Sequence, residues 1–206
     1  ARAVGGALVW QINDCWPVTS WAIIDSQLRP KPAYYVVRRA LAPLALGMSS
    51  GPQHAGIWLV NGTSAPVQGT LVVEEWTLDG QRVSASTIDI HLPANEVTEA
   101  GAFAYELQDQ RVLAARLVVD GRVLTRAALW PEPYKYLHLP DPAISVERAG
   151  PDALRVRCER PAKGVWLQAG DGVAWGDNML DLVPGDEQLI AAPGLGERTV
   201  RVKFLE

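Results

Sequence analysis

Gly69-Thr70-Leu71-Val72-Val73-Glu74-Glu75-Trp76-Thr77 is a run rich in β-branched and apolar residues that stops at Asp79-Gly80, and residues 82–90 lead back from that point. Asp-Gly favours the positive φ of a tight hairpin turn, so the two arms are predicted to pair in a register set by the turn. The pattern repeats outward. Residues 57–60 reach Asn61-Gly62, read as another turn, and residues 113–119 and 122–129 flank Asp120-Gly121. Strands at such regular spacing over roughly 80 residues predict an immunoglobulin-like β-sandwich, assigned to 51–138.

On the C-terminal side, Trp130-Pro131-Glu132-Pro133 and Leu139-Pro140-Asp141-Pro142 hold the chain extended and remove donors, the marks of a stiff linker. Beyond it Leu154, Val156 and Cys158 alternate with Arg155, Arg157 and Glu159, and Val200, Val202 and Phe204 with Arg201, Lys203 and Leu205. One face goes inward, which predicts a second, smaller immunoglobulin-like sandwich over 139–206 with Cys158 as a core residue rather than a nucleophile. Cys15 lies far away in a segment of different character, so no disulfide is expected.

The first fifty residues read differently. Ala7-Leu8-Val9-Trp10-Gln11-Ile12 is a short apolar run, as expected of a strand buried on both faces, and 31–42 reads as a helix. Pro32 suits a first-turn position, Tyr34, Val37, Leu41 and Leu44 recur at helical spacing, and Pro43 and Gly47 fit the helix end. Between them Asn13-Asp14-Cys15-Trp16-Pro17-Val18-Thr19-Ser20-Trp21 alternates polar and indole groups. Strand, loop and helix make one βα unit, and in a (β/α)₈ barrel the loop after each strand faces the active site. The fold class expected is mainly β: one βα unit over 1–50, which cannot form a barrel by itself and which the resemblance given below makes the terminal unit of a (β/α)₈ barrel, then two sandwiches. The strand expects neighbours on both edges, hence another polypeptide beside it, and the helix is expected to dock on the first sandwich.

Of the 206 residues 48% are hydrophobic and 20% charged, with 8 tryptophans, which excludes disorder, low complexity and coiled coils. A net charge of −4 with scattered Lys and Arg gives no expectation of nucleic acid as partner. No apolar stretch reaches the ~18 residues of a membrane span, and Ala1-Arg2-Ala3-Val4-Gly5-Gly6 lacks a leader pattern. His54, His91 and His138 show no metal-ligand spacing, so neither metal nor cofactor is expected. Asn61-Gly62-Thr63 fits a glycosylation sequon as well as a turn, and the turn is preferred; the compartment is not fixed by sequence.

Residues 6–25, followed by Arg29-Pro30-Lys31-Pro32-Ala33-Tyr34-Tyr35, resemble the last barrel strand and following helix of the β-mannosidases of glycoside hydrolase family 2. Tyr136-Leu137-His138-Leu139-Pro140-Asp141-Pro142 resembles the junction between that family's last two β-domains, and Asp177-Asn178-Met179-Leu180-Asp181-Leu182-Val183-Pro184-Gly185-Asp186 resembles a loop of the terminal one. In order and content the chain is similar to the C-terminal third of such an enzyme. Ile12 stands where leucine is usual, and Ser26-Gln27 replaces an aromatic stretch.

The resemblance implies exo-acting hydrolysis of terminal β-linked mannose with retention, by two glutamates on earlier barrel strands about 5 to 5.5 Å apart. Neither is in this chain, so it supplies no catalytic residue and is expected to be inactive alone. Asn95-Glu96 looks like the family's acid/base dipeptide but lies inside the first sandwich. What carries over is one wall of the pocket: Trp10 covering the apolar face of a pyranose, with Asn13 and Asp14 at the barrel mouth to bond hydroxyls or hold the loop, and Trp16 and Trp21 locking it. The partners implied are a β-mannoside oligosaccharide and the rest of the barrel. Two alternatives stay open: an exo-β-glucosaminidase of the same family, or a carbohydrate-binding module using Trp58, Trp76, Trp130, Trp166 and Trp175, whose bland reading is core packing.

Overall fold

The computed structural model describes residues 6–51, 53–106 and 109–206; residues 1–5, on which the leader reading rests, lie outside the described residues. The elements are α1 (Pro32–Ala40), β1 (Leu44–Ser50), β2 (His54–Asn61), β3 (Val67–Thr77), β4 (Arg82–Leu92), β5 (Glu96–Ala104), β6 (Arg111–Val119), β7 (Arg122–Leu129), β8 (Ser145–Arg148), β9 (Ala153–Arg157), β10 (Ala162–Gln168), β11 (Leu180–Leu182), β12 (Gln188–Ala191) and β13 (Arg201–Lys203). The molecule is mainly β, and all the strand pairs are antiparallel.

Sheets β1-β2-β5 and β4-β3-β6-β7 face each other. Between them Ile57, Leu59, Leu71, Leu113, Ala115 and Leu117 make a core, because the inward residue of every second position is apolar. The Asp79-Gly80 and Asp120-Gly121 turns join β3 to β4 and β6 to β7 as expected. At the second, Asp120 and Gly121 have φ of 49° and 73°, the pair of positive values that matches the twist of the flanking strands.

Asn61-Gly62 is not a hairpin. β2 pairs with β1 and β5, so the chain here crosses from one sheet to the other. Asn61 is buried, its Nδ2 engages the carbonyls of Ala65, Leu92 and Pro93 at 2.9, 3.1 and 3.1 Å, and its Oδ1 accepts from the Thr63 backbone N–H and hydroxyl. That amide supplies bonds the crossover has no ladder to make.

Sheets β11-β10-β13 and β12-β9-β8 form the second pair, around Leu154, Val156, Val165, Leu167, Leu180, Leu182 and Leu195. Cys158 is buried there, and burial pushes its thiol up to about 12, which suits packing and not nucleophilic chemistry. A third apolar cluster spans the joint: Trp76, Leu78, Val112 and Ala114 from the first pair, Val183 from the second, with Trp130, Tyr134, Leu137 and Leu139 of the connecting segment.

The N-terminal segment departs from expectation. Residues 6–12 form no strand, and Leu8, Trp10 and Ile12 are exposed, because an apolar run closes a ladder only beside other strands, and among the described residues none lies along it. The helix ends at Ala40 and Leu44–Ser50 turns into β1, whose pairing with β2 outweighs the helical spacing of Leu44. Alternation in the first sheet pair therefore begins before Gly51. α1 meets both sheet pairs: it contacts β1 of the first, and on the second Tyr35 packs edge-on to Trp166 with ring centres 5.7 Å apart while its basic last turn grips the loop before β11.

Candidate functional site

The loop after Trp10 is built on one carboxylate. Asp14 is buried, with Oδ1 accepting from the Ser20 hydroxyl at 2.5 Å and Oδ2 from Lys31 Nζ at 2.7 Å. Backbone bonds from Ile24 N to Ile12 O (2.9 Å), Asp14 N to Ile24 O (3.1 Å) and Lys31 N to Ile23 O (2.9 Å) tie both ends of the loop to the start of α1. The Lys31 ammonium, with help from Ser20, holds the Asp14 carboxyl below its ordinary value. Asp14 thus braces the loop.

Asp25 makes the second turn of the loop. Its Oδ1 accepts the N–H groups of Gln27 and Arg29 at 2.8 and 2.9 Å, its Oδ2 accepts Arg29 Nε at 2.7 Å, and these bonds, led by the Arg29 N–H, keep it ionised below the usual range. Both loop carboxylates are therefore held as anions with their oxygens occupied. A general acid needs a raised pKa, so neither suits proton donation to a glycosidic oxygen.

The outward face is indole. Trp10, Trp16 and Trp21 are 76%, 66% and 72% exposed, and they are the exposed tryptophans among the described residues; Leu8, Ile12 and Val18 stand with them. Asn13 is exposed beside Trp10, its Nδ2 donating to the Asp14 carbonyl at 3.2 Å. Trp10 and Asn13 are thus both accessible and Asp14 is buried, while Trp16 and Trp21 lie open rather than locking the loop. Such a surface can stack on the apolar face of a sugar ring or be covered by apolar protein. The tryptophans of the sheets serve packing: Trp76 and Trp130 are buried, Trp130 donating Nε1 to Asp181 at 3.1 Å, Trp58 lies over Gly47, and Trp175 packs on the second core. Glu96 sits at the exposed start of β5.

Sequence reasoning missed the residues that hold α1. Arg39 Nη1 donates to Asp177 Oδ1 at 2.6 Å and the Asn178 carbonyl at 2.8 Å, Nη2 to the Met179 carbonyl at 2.7 Å, and Arg38 donates to the Gly176 carbonyl. The Asp177-Asn178 string was visible as a motif. Its partner, on another element 138 positions away, was not.

Residues 53–136 match the model of the Mannosidase Ig/CBM-like domain family. Over 99% of its length the chain is 35% identical to beta-mannosidase B of Aspergillus niger, and likewise 35% identical to beta-mannosidase B of Emericella nidulans. It spans 27% of each of those relatives. Among solved structures, the β-D-mannosidase of Dictyoglomus thermophilum superposes with a TM-score of 0.82 at 26% identity, covering 96% of this chain and 26% of that one. An exo-chitosanase of Amycolatopsis orientalis superposes with a TM-score of 0.73 at 19% identity, covering 95% of this chain and 29% of that one, a likeness of fold alone.

Proposed function

Because this chain is homologous to the C-terminal portion of the beta-mannosidase B proteins, we propose that it works as part of a retaining exo-β-mannosidase, supplying one wall of the pocket for the terminal sugar. Residues 6–43 are then the end of a (β/α)₈ barrel, with 7–12 its last strand once neighbouring strands pair with it. The sheets of 44–138 and 139–206 are two accessory sandwiches. The catalytic glutamates belong to the upstream barrel, and the substrate is a glycan or oligosaccharide ending in β-mannose.

The observation that carries this reading is the exposed indole of Trp10 at the start of a loop tied together by Asp14, Ser20 and Lys31. A stacking platform must be both open to its ligand and fixed in place, since a mobile ring would lose much of its contact energy on ordering. Asn13 stands beside it as a hydroxyl partner. In the complete enzyme, Trp10→Ala should lower kcat/KM on a β-mannoside by roughly 30- to 800-fold, about 2 to 4 kcal/mol of transition-state binding. Values within about threefold of the parent reject the role. Parallel assays on β-mannoside and β-glucosaminide substrates decide between mannosidase and the exo-β-glucosaminidase alternative.

A further inference from the structure

We infer that Arg39 is a positioning residue for that pocket wall, through which the C-terminal sheets hold the Trp10 loop in place; the inference rests on the pocket reading above. The platform it grips is rigid. Asn178 is fully buried, accepting the Leu167 and Met179 N–H groups at its Oδ1 and donating Nδ2 to the Leu167 carbonyl at 2.9 Å, which fastens residues 177–179 to β10. The Arg39 guanidinium bonds three consecutive residues of that platform, and Asp177 Oδ1, which accepts it, also accepts the Asn178 N–H at 2.9 Å. A planar fork held at several points fixes direction as well as distance.

At its other end the same helix is preceded by its N-cap residue Lys31, whose ammonium bonds Asp14 and whose backbone N–H donates to the Ile23 carbonyl. A nine-residue helix transmits displacement as a rod, so a slip at Arg39 moves Lys31, and Lys31 carries the Asp14 carboxylate of the loop that follows Trp10. Tyr35 against Trp166 adds a contact between the two ends. The path runs from β10 through 177–179, Arg39 and α1 to Lys31, Asp14 and the loop.

The test uses the complete enzyme with Arg39→Met and Arg39→Lys. In Arg39→Met, amide hydrogen exchange across 12–24 should quicken while β3 and β6 stay protected, and kcat/KM on a β-mannoside should fall by about 10-fold or more, as a small displacement of a binding group does. Lysine, which keeps the charge and can reach fewer of the acceptors, should restore part of both. Unchanged exchange in the loop, or quickened exchange with kcat/KM within about threefold of the parent, overturns the inference. Trp10→Ala, run beside them, separates the two readings: no effect there sinks the pocket wall itself, whatever Arg39 does.

Discussion

Asp14 joins residues 6 and 17 positions away in one carboxylate, and its ionisation state therefore sets the loop. Its pKa in the fold lies below the ordinary 3.8 because Lys31 and then Ser20 bond the anion. A depressed carboxyl adds stability that is fully present above the unfolded value and disappears as pH falls through the folded one. Protection of the 12–24 amides should therefore persist at neutral pH and fade below roughly pH 4, and Asp14→Asn should remove that acid dependence. An acid profile unchanged by the substitution would show that another group governs the loop. Tyr105 behaves with the opposite sign. Burial pushes its phenol up to about 12, and its hydroxyl donates to the Arg111 carbonyl at 2.9 Å, so its share of stability is complete below pH 10 and lost as pH rises through 12. Tyr105→Phe should cost about 1 kcal/mol in urea unfolding at neutral pH, since the Arg111 carbonyl loses its donor. At this scale the sequence reveals residue types and their chemistry; which indoles stay open and which carboxylate is braced depends on neighbours it does not name.

Elements built on local chemistry follow their sequence closely. The Asp79-Gly80 and Asp120-Gly121 hairpins and the Pro32 helix start are set by φ preferences within a few residues, so they were legible. β1 and the Asn61 crossover were not. Leu44 fits both a helical stripe and a strand, and only pairing with Asn61 across β1 and β2 decides between them. Asn61 itself looks like turn chemistry, yet its amide is a buried tie between sheets. Asn61→Ala should cost about 1 to 3 kcal/mol by leaving buried carbonyls unpaired, seen as a lower urea midpoint with an unchanged slope. Asn61→Asp keeps the size but loses the donor, and should cost no less. A neutral Asn61→Ala would place the crossover's stability elsewhere.

Over the whole molecule, the third cluster and the ion pair from Arg126 to Asp186 (Nε to Oδ2, 2.9 Å) make the joint between the sheet pairs a packed interface. Trp130 lies at its centre, 2% exposed and bonded to Asp181, so Trp130→Ala should cost about 3 to 5 kcal/mol and separate one calorimetric transition into two. A single, little-shifted transition would show that the sheet pairs are held by other contacts. The 206-residue chain on its own should leave a chromogenic β-mannoside intact, because the family resemblance puts both catalytic glutamates outside it; turnover that depends on Glu96 would overturn the assignment of the catalytic pair to the upstream barrel.

The sequence by itself determined the β character, two hairpins, the inward faces of β9 and β13, and the family likeness, because these rest on periodicity, turn chemistry and contiguous strings. Only the tertiary structure decided that α1 is also gripped by the loop before β11, that Asn61 ties sheets together, and that Asp14 is bonded to Lys31. Each of those depends on a polar group finding its partner across the fold, and such a partner is chosen by burial and distance, which alternation along the chain does not record.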